Sequence, residues 1–129
     1  MSLKVILVDD SHFQLNQIER LLQDLGCEVK PFLSGLEVLE ELKKGNFDCV
    51  FTDLLMPELD GFELSAMIHE KYPDIDIVVL TANVQKSSEE QCHDNGVKYF
   101  LNKPVQKETL ETVVNQLRQD RKKNEKHVS

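Results

Sequence analysis

Cys49-Val50-Phe51-Thr52-Asp53-Leu54-Leu55-Met56-Pro57-Glu58-Leu59-Asp60-Gly61 is a short apolar run closed by an acid, followed by a loop that turns into a helix. A carboxylate at the carboxyl end of a buried strand stands where open α/β sheets place their ligand sites. Further groups fall at equivalent ends: the pair Asp9-Asp10 after Val5-Ile6-Leu7-Val8, Thr81 after Ile77-Val78-Val79-Leu80, and Lys103 beyond Tyr99-Phe100-Leu101. Three carboxylates, a hydroxyl and an ammonium on one sheet edge make a site for a divalent cation and a phosphoryl group.

The rest of the chain alternates in the same way. The apolar run at 4–8 suits a parallel strand buried on both faces. Residues 11–25 change to helical spacing, with Leu15, Ile18, Leu22 and Leu25 on one stripe, Ser11 and Gln14 as a capping box, and Gly26 as the stop. Cys27 to Phe32 reads as a second strand. A helix opens at Ser34-Gly35-Leu36-Glu37 and closes at Gly45, and Phe47 to Thr52 forms the third strand. Asp60-Gly61 caps a helix carrying Phe62, Met67 and Ile68, ended by Pro73, and Ile75 to Leu80 is the fourth strand. Residues 85–95 make a weakly apolar helix, with Val84 and Cys92 nearly its only apolar residues, and Val97 to Leu101 is the fifth strand. The last helix starts near Gln106 and presents Leu110, Val113, Val114 and Leu117; residues 118–129 are almost wholly polar and are expected to fray. The order βαβαβαβαβα predicts an α/β fold, a parallel sheet with helices on both faces.

Composition narrows the function. The 129 residues fit one domain, and 40% hydrophobic content suffices for a single core. A formal net charge of −8 argues against nucleic acid and against anionic lipid as partners. No apolar run approaches the ~20 residues of a membrane helix, and the N-terminus is no signal peptide, so a cytoplasmic protein is expected. Cys27, Cys49 and Cys92 lack paired spacing and read as free thiols in a reducing compartment. His12, His69, His93 and His127 lack metal-ligand spacing and read as surface residues. The phosphate-cradling loop Gly-x-x-x-x-Gly-Lys and the dinucleotide signature Gly-x-Gly-x-x-Gly do not occur.

Taken singly, each candidate has an ordinary explanation. An Asp-Asp pair serves as a helix N-cap beside a solvated acid, and Asp53 as a turn residue. Thr81 serves as a strand-end hydroxyl bonded to backbone, and Lys103 as a surface charge. Gathered in one cleft, Asp9, Asp10 and Asp53 would repel one another and raise each other's pKa unless a cation balanced them. An all-oxygen set with room for water suits Mg²⁺ or Mn²⁺ better than zinc.

Val8-Asp9-Asp10, Asp53-x-x-x-Pro57-x-x-Asp60-Gly61, Leu80-Thr81-Ala82 and Lys103-Pro104 occur in order. In these motifs the chain resembles the receiver domain of two-component response regulators, particularly the stand-alone chemotaxis type, over residues 4 to about 118. The resemblance implies a flavodoxin-like receiver fold: a doubly wound (βα)5 unit with a five-stranded parallel sheet over residues 1–118, followed by a charged tail at 119–129. It implies that Asp53 accepts a phosphoryl group from a histidine kinase or histidine phosphotransfer protein. Asp10 would bind Mg²⁺ directly, Asp9 largely through water, and Asp53 and the backbone carbonyl of Leu55 would complete the protein ligands. Thr81 and Lys103 would contact the phosphoryl oxygens, and the Lys103-Pro104 bond would be cis. Leu55 and Asn83 occupy positions that tune phosphate lifetime in the family.

The switch aromatic departs from the common pattern. Where many members have Tyr, this chain has Phe100, with Tyr99 one place earlier. Thr81 and Phe100 would form the switch, and a downstream protein would read the face built from residues 85–117. The resemblance implies a monomer or weak dimer and a signalling switch, not an enzyme. A Mg²⁺-dependent aspartyl-phosphate hydrolase usually carries an acid two residues after the nucleophile, where Leu55 stands. A receiver that forms part of a larger transcription factor or hybrid kinase is the other reading.

Overall fold

The computed structural model describes residues 2–82 and 93–128, with side chains of the last helix described through residue 122. Along the described chain run β1 (Lys4–Val8), α1 (His12–Asp24), β2 (Glu28–Phe32), α2 (Gly35–Leu42) and β3 (Cys49–Asp53). They are followed by α3 (Gly61–Lys71), β4 (Asp76–Thr81), β5 (Val97–Asn102) and α4 (Lys107–Val128). Asn83, Val84, Cys92 and most of the helix expected at 85–95 lie outside the described residues.

The five strands pair in parallel in the order β2-β1-β3-β4-β5. Alternate side chains point to opposite faces, so the Val- and Ile-rich central strands feed two separate cores. On one face Leu15, Ile18 and Leu22 of α1 and Leu110, Val113, Val114 and Leu117 of α4 pack over Leu7, Phe51, Val78 and Leu80. On the other, Val38 and Leu42 of α2 and Leu64 and Ile68 of α3 cover Ile6, Val8, Val50 and Val79. Each such fully buried side chain contributes roughly 1.5–3 kcal/mol relative to exposure. This is the expected doubly wound α/β sheet. Pro31, which has no N–H to give a ladder, sits in the edge strand β2, where a missing donor is tolerated.

Several boundaries and faces differ from the sequence expectation. α2 ends at Leu42 rather than running to Gly45, because Lys43 and Lys44 close a tighter turn onto Glu40 and Glu41 carbonyls. β3 starts at Cys49, not Phe47. Met67 is not a core residue: it is 46% exposed, while Leu64, Ser65 and Ile68 face the sheet. Neighbouring helix positions are ~100° apart, so Ile68 facing inward turns Met67 out. Ser65 is tolerated inside because its hydroxyl donates to the Gly61 carbonyl at 2.6 Å.

The last helix departs most. Its helical backbone continues past residue 118, where the apolar stripe stops, to Val128. Polar groups dock it: Arg118 Nη2 donates to the Leu25 carbonyl at 2.6 Å, and Lys98 pairs with Asp120 at 2.7 Å. Arg121 reaches the amino ends of β3 and β4, with Nε 3.1 Å from Asp48 Oδ1 and Nη1 3.0 Å from the Asp48 carbonyl and 3.3 Å from Asp76 Oδ2.

Candidate functional site

Strand register brings the candidates together. β1 and β3 are the pair where the chain reverses its direction across the sheet, the place at which such folds open a ligand cleft. Their last paired residues are Val8 and Thr52, so Asp9 and Asp53 follow side by side. Asp53 pairs with Leu80, and Thr81 with Asn102, so Lys103 emerges next to Thr81. The Lys103 backbone N–H donates to the Thr81 carbonyl at 2.7 Å, and the Lys103-Pro104 bond is cis.

Asp9, Asp10 and Asp53 each present a carboxylate oxygen within 4.8 Å of the others. Asp9 is buried, Asp53 half-buried and Asp10 exposed. Both oxygens of Asp9 are engaged: Oδ1 accepts the Ser11 N–H at 2.9 Å and Oδ2 accepts Lys103 Nζ at 2.9 Å. Asp53 Oδ1 accepts the Leu54 N–H at 2.9 Å and lies 3.2 Å from Lys103 Nζ. Burial pushes the Asp53 carboxyl above its ordinary range; the nearby Lys103 ammonium opposes that rise and the Asp9 charge reinforces it. Asp10 takes part in no ion pair among the described residues.

The residues present fit a divalent metal ion. Three carboxylates against one ammonium leave two negative charges uncompensated, and the donors are hard oxygens. Leu55, two residues past Asp53, is 67% exposed, so it puts no carboxyl beside the nucleophile candidate.

The loop that carries Asp53 into α3 is held from below. Leu54, Met56 and Leu59 are buried, and the Gly61 N–H donates to the Leu54 carbonyl at 2.8 Å. Glu58 adopts a left-handed φ of 69°, and Asp60 caps α3 by accepting the Glu63 N–H at 2.9 Å.

Thr81 is buried at the end of β4. Phe100 pairs with Val79, so Phe100 and Thr81 share one face of the sheet, where half-buried Phe100 packs with the α2/α3 core. Tyr99 packs on the opposite face, away from Thr81 and Phe100. His12, His69 and His93 are exposed, and the His127 side chain lies outside the described residues. Cys27 and Cys49 are free and buried, and burial raises both thiols.

Sequence reasoning read Gln14 only as part of a cap. The structure puts its Oε1 against Lys103 Nζ. The available signal was position: α1 begins where β1 ends, so its first turn must border the cleft.

The family model of the response regulator receiver domain matches residues 5–115. The chain belongs to this family. As a receiver domain, it has a phosphoacceptor role in two-component signalling. It is 34% identical over 119 residues to hybrid signal transduction histidine kinase L of Dictyostelium discoideum, a match covering 86% of this chain and 7% of that kinase. Among solved structures, the receiver domain protein of Clostridium thermocellum superposes with a TM-score of 0.87 at 27% identity, over 95% of this chain and 98% of that one. Chemotaxis protein CheY4 of Vibrio cholerae gives 0.85 at 29% identity, over 91% and 99%. The receiver domain here thus spans a small part of its curated relative and nearly all of these structural neighbours.

Proposed function

We propose that Asp53 accepts a phosphoryl group from a histidine kinase or histidine phosphotransfer protein in a Mg²⁺-dependent reaction, and that the phosphorylated domain changes its affinity for a downstream protein. The observation that carries this reading is the convergence of Asp53, Asp9, Asp10, Thr81 and Lys103 on one cleft at the switch point of the sheet.

A carboxylate oxygen of Asp53 forms a bond to phosphorus while the bond to the donor nitrogen breaks. The departing imidazole keeps that electron pair. Negative charge spreads over the transferring oxygens, so catalysis here is positioning and charge neutralisation. Lys103 is already within reach of Asp53 and neutralises one such oxygen; Thr81, at the adjacent strand end, donates its hydroxyl to another. Asp10, Asp53 and the Leu55 carbonyl, with Asp9 largely through water, would hold Mg²⁺, which supplies further neutralisation. The product acyl phosphate adds nearly two negative charges and three acceptor oxygens. Thr81 is then drawn toward the phosphoryl group, and Phe100, on the same face, moves into the space it leaves. A partner reading β5, α4 and the segment between β4 and β5 distinguishes the two states.

The domain is a switch rather than a phosphohydrolase, since exposed Leu55 brings no general acid to the aspartyl-phosphate. No described helix is long and apolar enough to cross a membrane, and a cytoplasmic setting accords with the reading. Likeness to a hybrid histidine kinase favours a second setting, in which the same domain works within a larger signalling protein. The chemistry at Asp53 is common to both.

Incubation with Mg²⁺ and acetyl phosphate is expected to add one acid-stable, base-labile phosphoryl group, and Asp53→Asn to abolish it. Full labelling of Asp53→Asn would refute the assignment.

A further inference from the structure

We propose that Gln14 is a positioning residue for Lys103: its side-chain carbonyl holds the ammonium in the unphosphorylated domain and releases it for phosphoryl transfer. This rests on the reading of Asp53 as phosphoacceptor.

A lysine ammonium has three N–H donors and no acceptor. At Lys103 two of them are given to Asp9 Oδ2 at 2.9 Å and Gln14 Oε1 at 2.5 Å, and the ammonium also lies 3.2 Å from Asp53 Oδ1 as an ion pair. An arriving phosphoryl oxygen competes with these partners for the ammonium. Releasing Asp9 would leave a buried carboxylate short of a charged partner, which is strongly unfavourable. Asp53 is itself the group that takes the phosphoryl. Gln14 is neutral and exposed, so water replaces its bond readily. The Gln14 bond is thus made before transfer and not during it, and a bond of that kind raises the barrier.

Local structure keeps the amide over the lysine. The Gln14 N–H is capped by Ser11 Oγ at 3.4 Å, and the Ser11 N–H is fixed on Asp9 Oδ1. One carboxylate, Asp9, therefore anchors both Lys103 and the helical turn that carries Gln14. The arrangement acts as a brake on phosphorylation, set by a residue outside the family motifs quoted above.

Gln14→Met keeps side-chain length and helix propensity at an exposed helical position while removing the acceptor. The test follows labelling by acetyl phosphate at saturating Mg²⁺, in which the O–P bond to Asp53 forms as acetate leaves with its electron pair. Gln14→Met is expected to label about tenfold faster, the worth of one exposed hydrogen bond to a charged group. The ¹⁵Nζ–¹H signal of Lys103 provides a second readout, and its protons should exchange with water faster in the variant. A role confined to helix stability would leave that exchange unchanged. Labelling at the wild-type rate or slower, or unaltered ammonium exchange, would overturn the inference. Asp53→Asn, run alongside, separates the two levels: if it stays unlabelled, a failure belongs to Gln14 alone, and if it labels, both readings fall.

Discussion

Gly61 and Asp53 meet backbone to backbone: a Cβ at Gly61 would stand 2.5 Å from the Asp53 carbonyl oxygen and 2.8 Å from the Leu54 Cα. The first residue of α3 can therefore pass close beneath Asp53 only as glycine. Gly61→Ala forces the β3–α3 connection apart. Overpacking of this kind costs about 1–3 kcal/mol. Urea unfolding should show that loss, and acetyl phosphate labelling of the folded fraction should slow, since Asp53 itself is displaced. A variant of unchanged stability and unchanged labelling would contradict the contact.

Asp53 also predicts a pH dependence. Its folded-state pKa is raised, chiefly by burial, so the native state holds the proton more tightly than the unfolded chain does. Stability therefore falls as pH rises from the ordinary carboxylate range through the folded pKa. In metal-free buffer at neutral pH, Asp53→Asn should be more stable than the wild type. That advantage should shrink as the solution is acidified below the ordinary carboxylate range. Denaturant midpoints measured across this range check both the sign and the window.

The acidic residues should differ as metal ligands. Asp9 has both oxygens committed to Ser11 and Lys103, whereas Asp10 is exposed. A ligand that binds only the folded protein raises its melting temperature by mass action. Asp10→Ala should erase both the Mg²⁺-induced shift and the labelling. Asp9→Ala should leave a reduced shift, and Lys103→Ala a nearly unchanged one. Thermal denaturation with and without Mg²⁺ measures all three.

Arg121 should anchor the end of α4. It bonds the Asp48 carbonyl and pairs with Asp48 and Asp76 while largely shielded from water. Arg121→Ala leaves Asp48 without its cation and Asp76 with Lys98 alone, at 3.5 Å, and should destabilise the domain by about 2 kcal/mol. Amides beyond residue 118 should exchange faster, while those of Leu110 to Leu117 keep their protection. Hydrogen exchange resolved by residue decides it.

The sheet was legible because its strands, buried on both faces, appear as unbroken Val- and Ile-rich runs. The cleft was legible because Asp9, Asp53, Thr81 and Lys103 each follow such a run, and parallel register turns that sequence position into spatial proximity. The extension of α4 was hidden, since Arg118, Asp120 and Arg121 dock through ions and carbonyls and leave no apolar period. Met67 misled because it adjoins Ile68, and hydrophobicity alone does not say which of two neighbours turns inward. The Gln14–Lys103 bond depends on a choice among several polar groups around one ammonium, which spacing does not encode. At Gly61, the sequence identified a helix start but not the close backbone approach that excludes a side chain.

The grip of Arg121 on Asp48 and Asp76 lies at the amino edge of the sheet, opposite the acidic cleft and one strand length, about 16 Å, away. A bead or sensor chip coupled to the last turn of α4 would therefore attach behind the reactive edge. Immobilised in that orientation, the protein would present Asp53 to the bulk solution, and encounter rates with donors of different bulk could be compared without the support shielding the cleft.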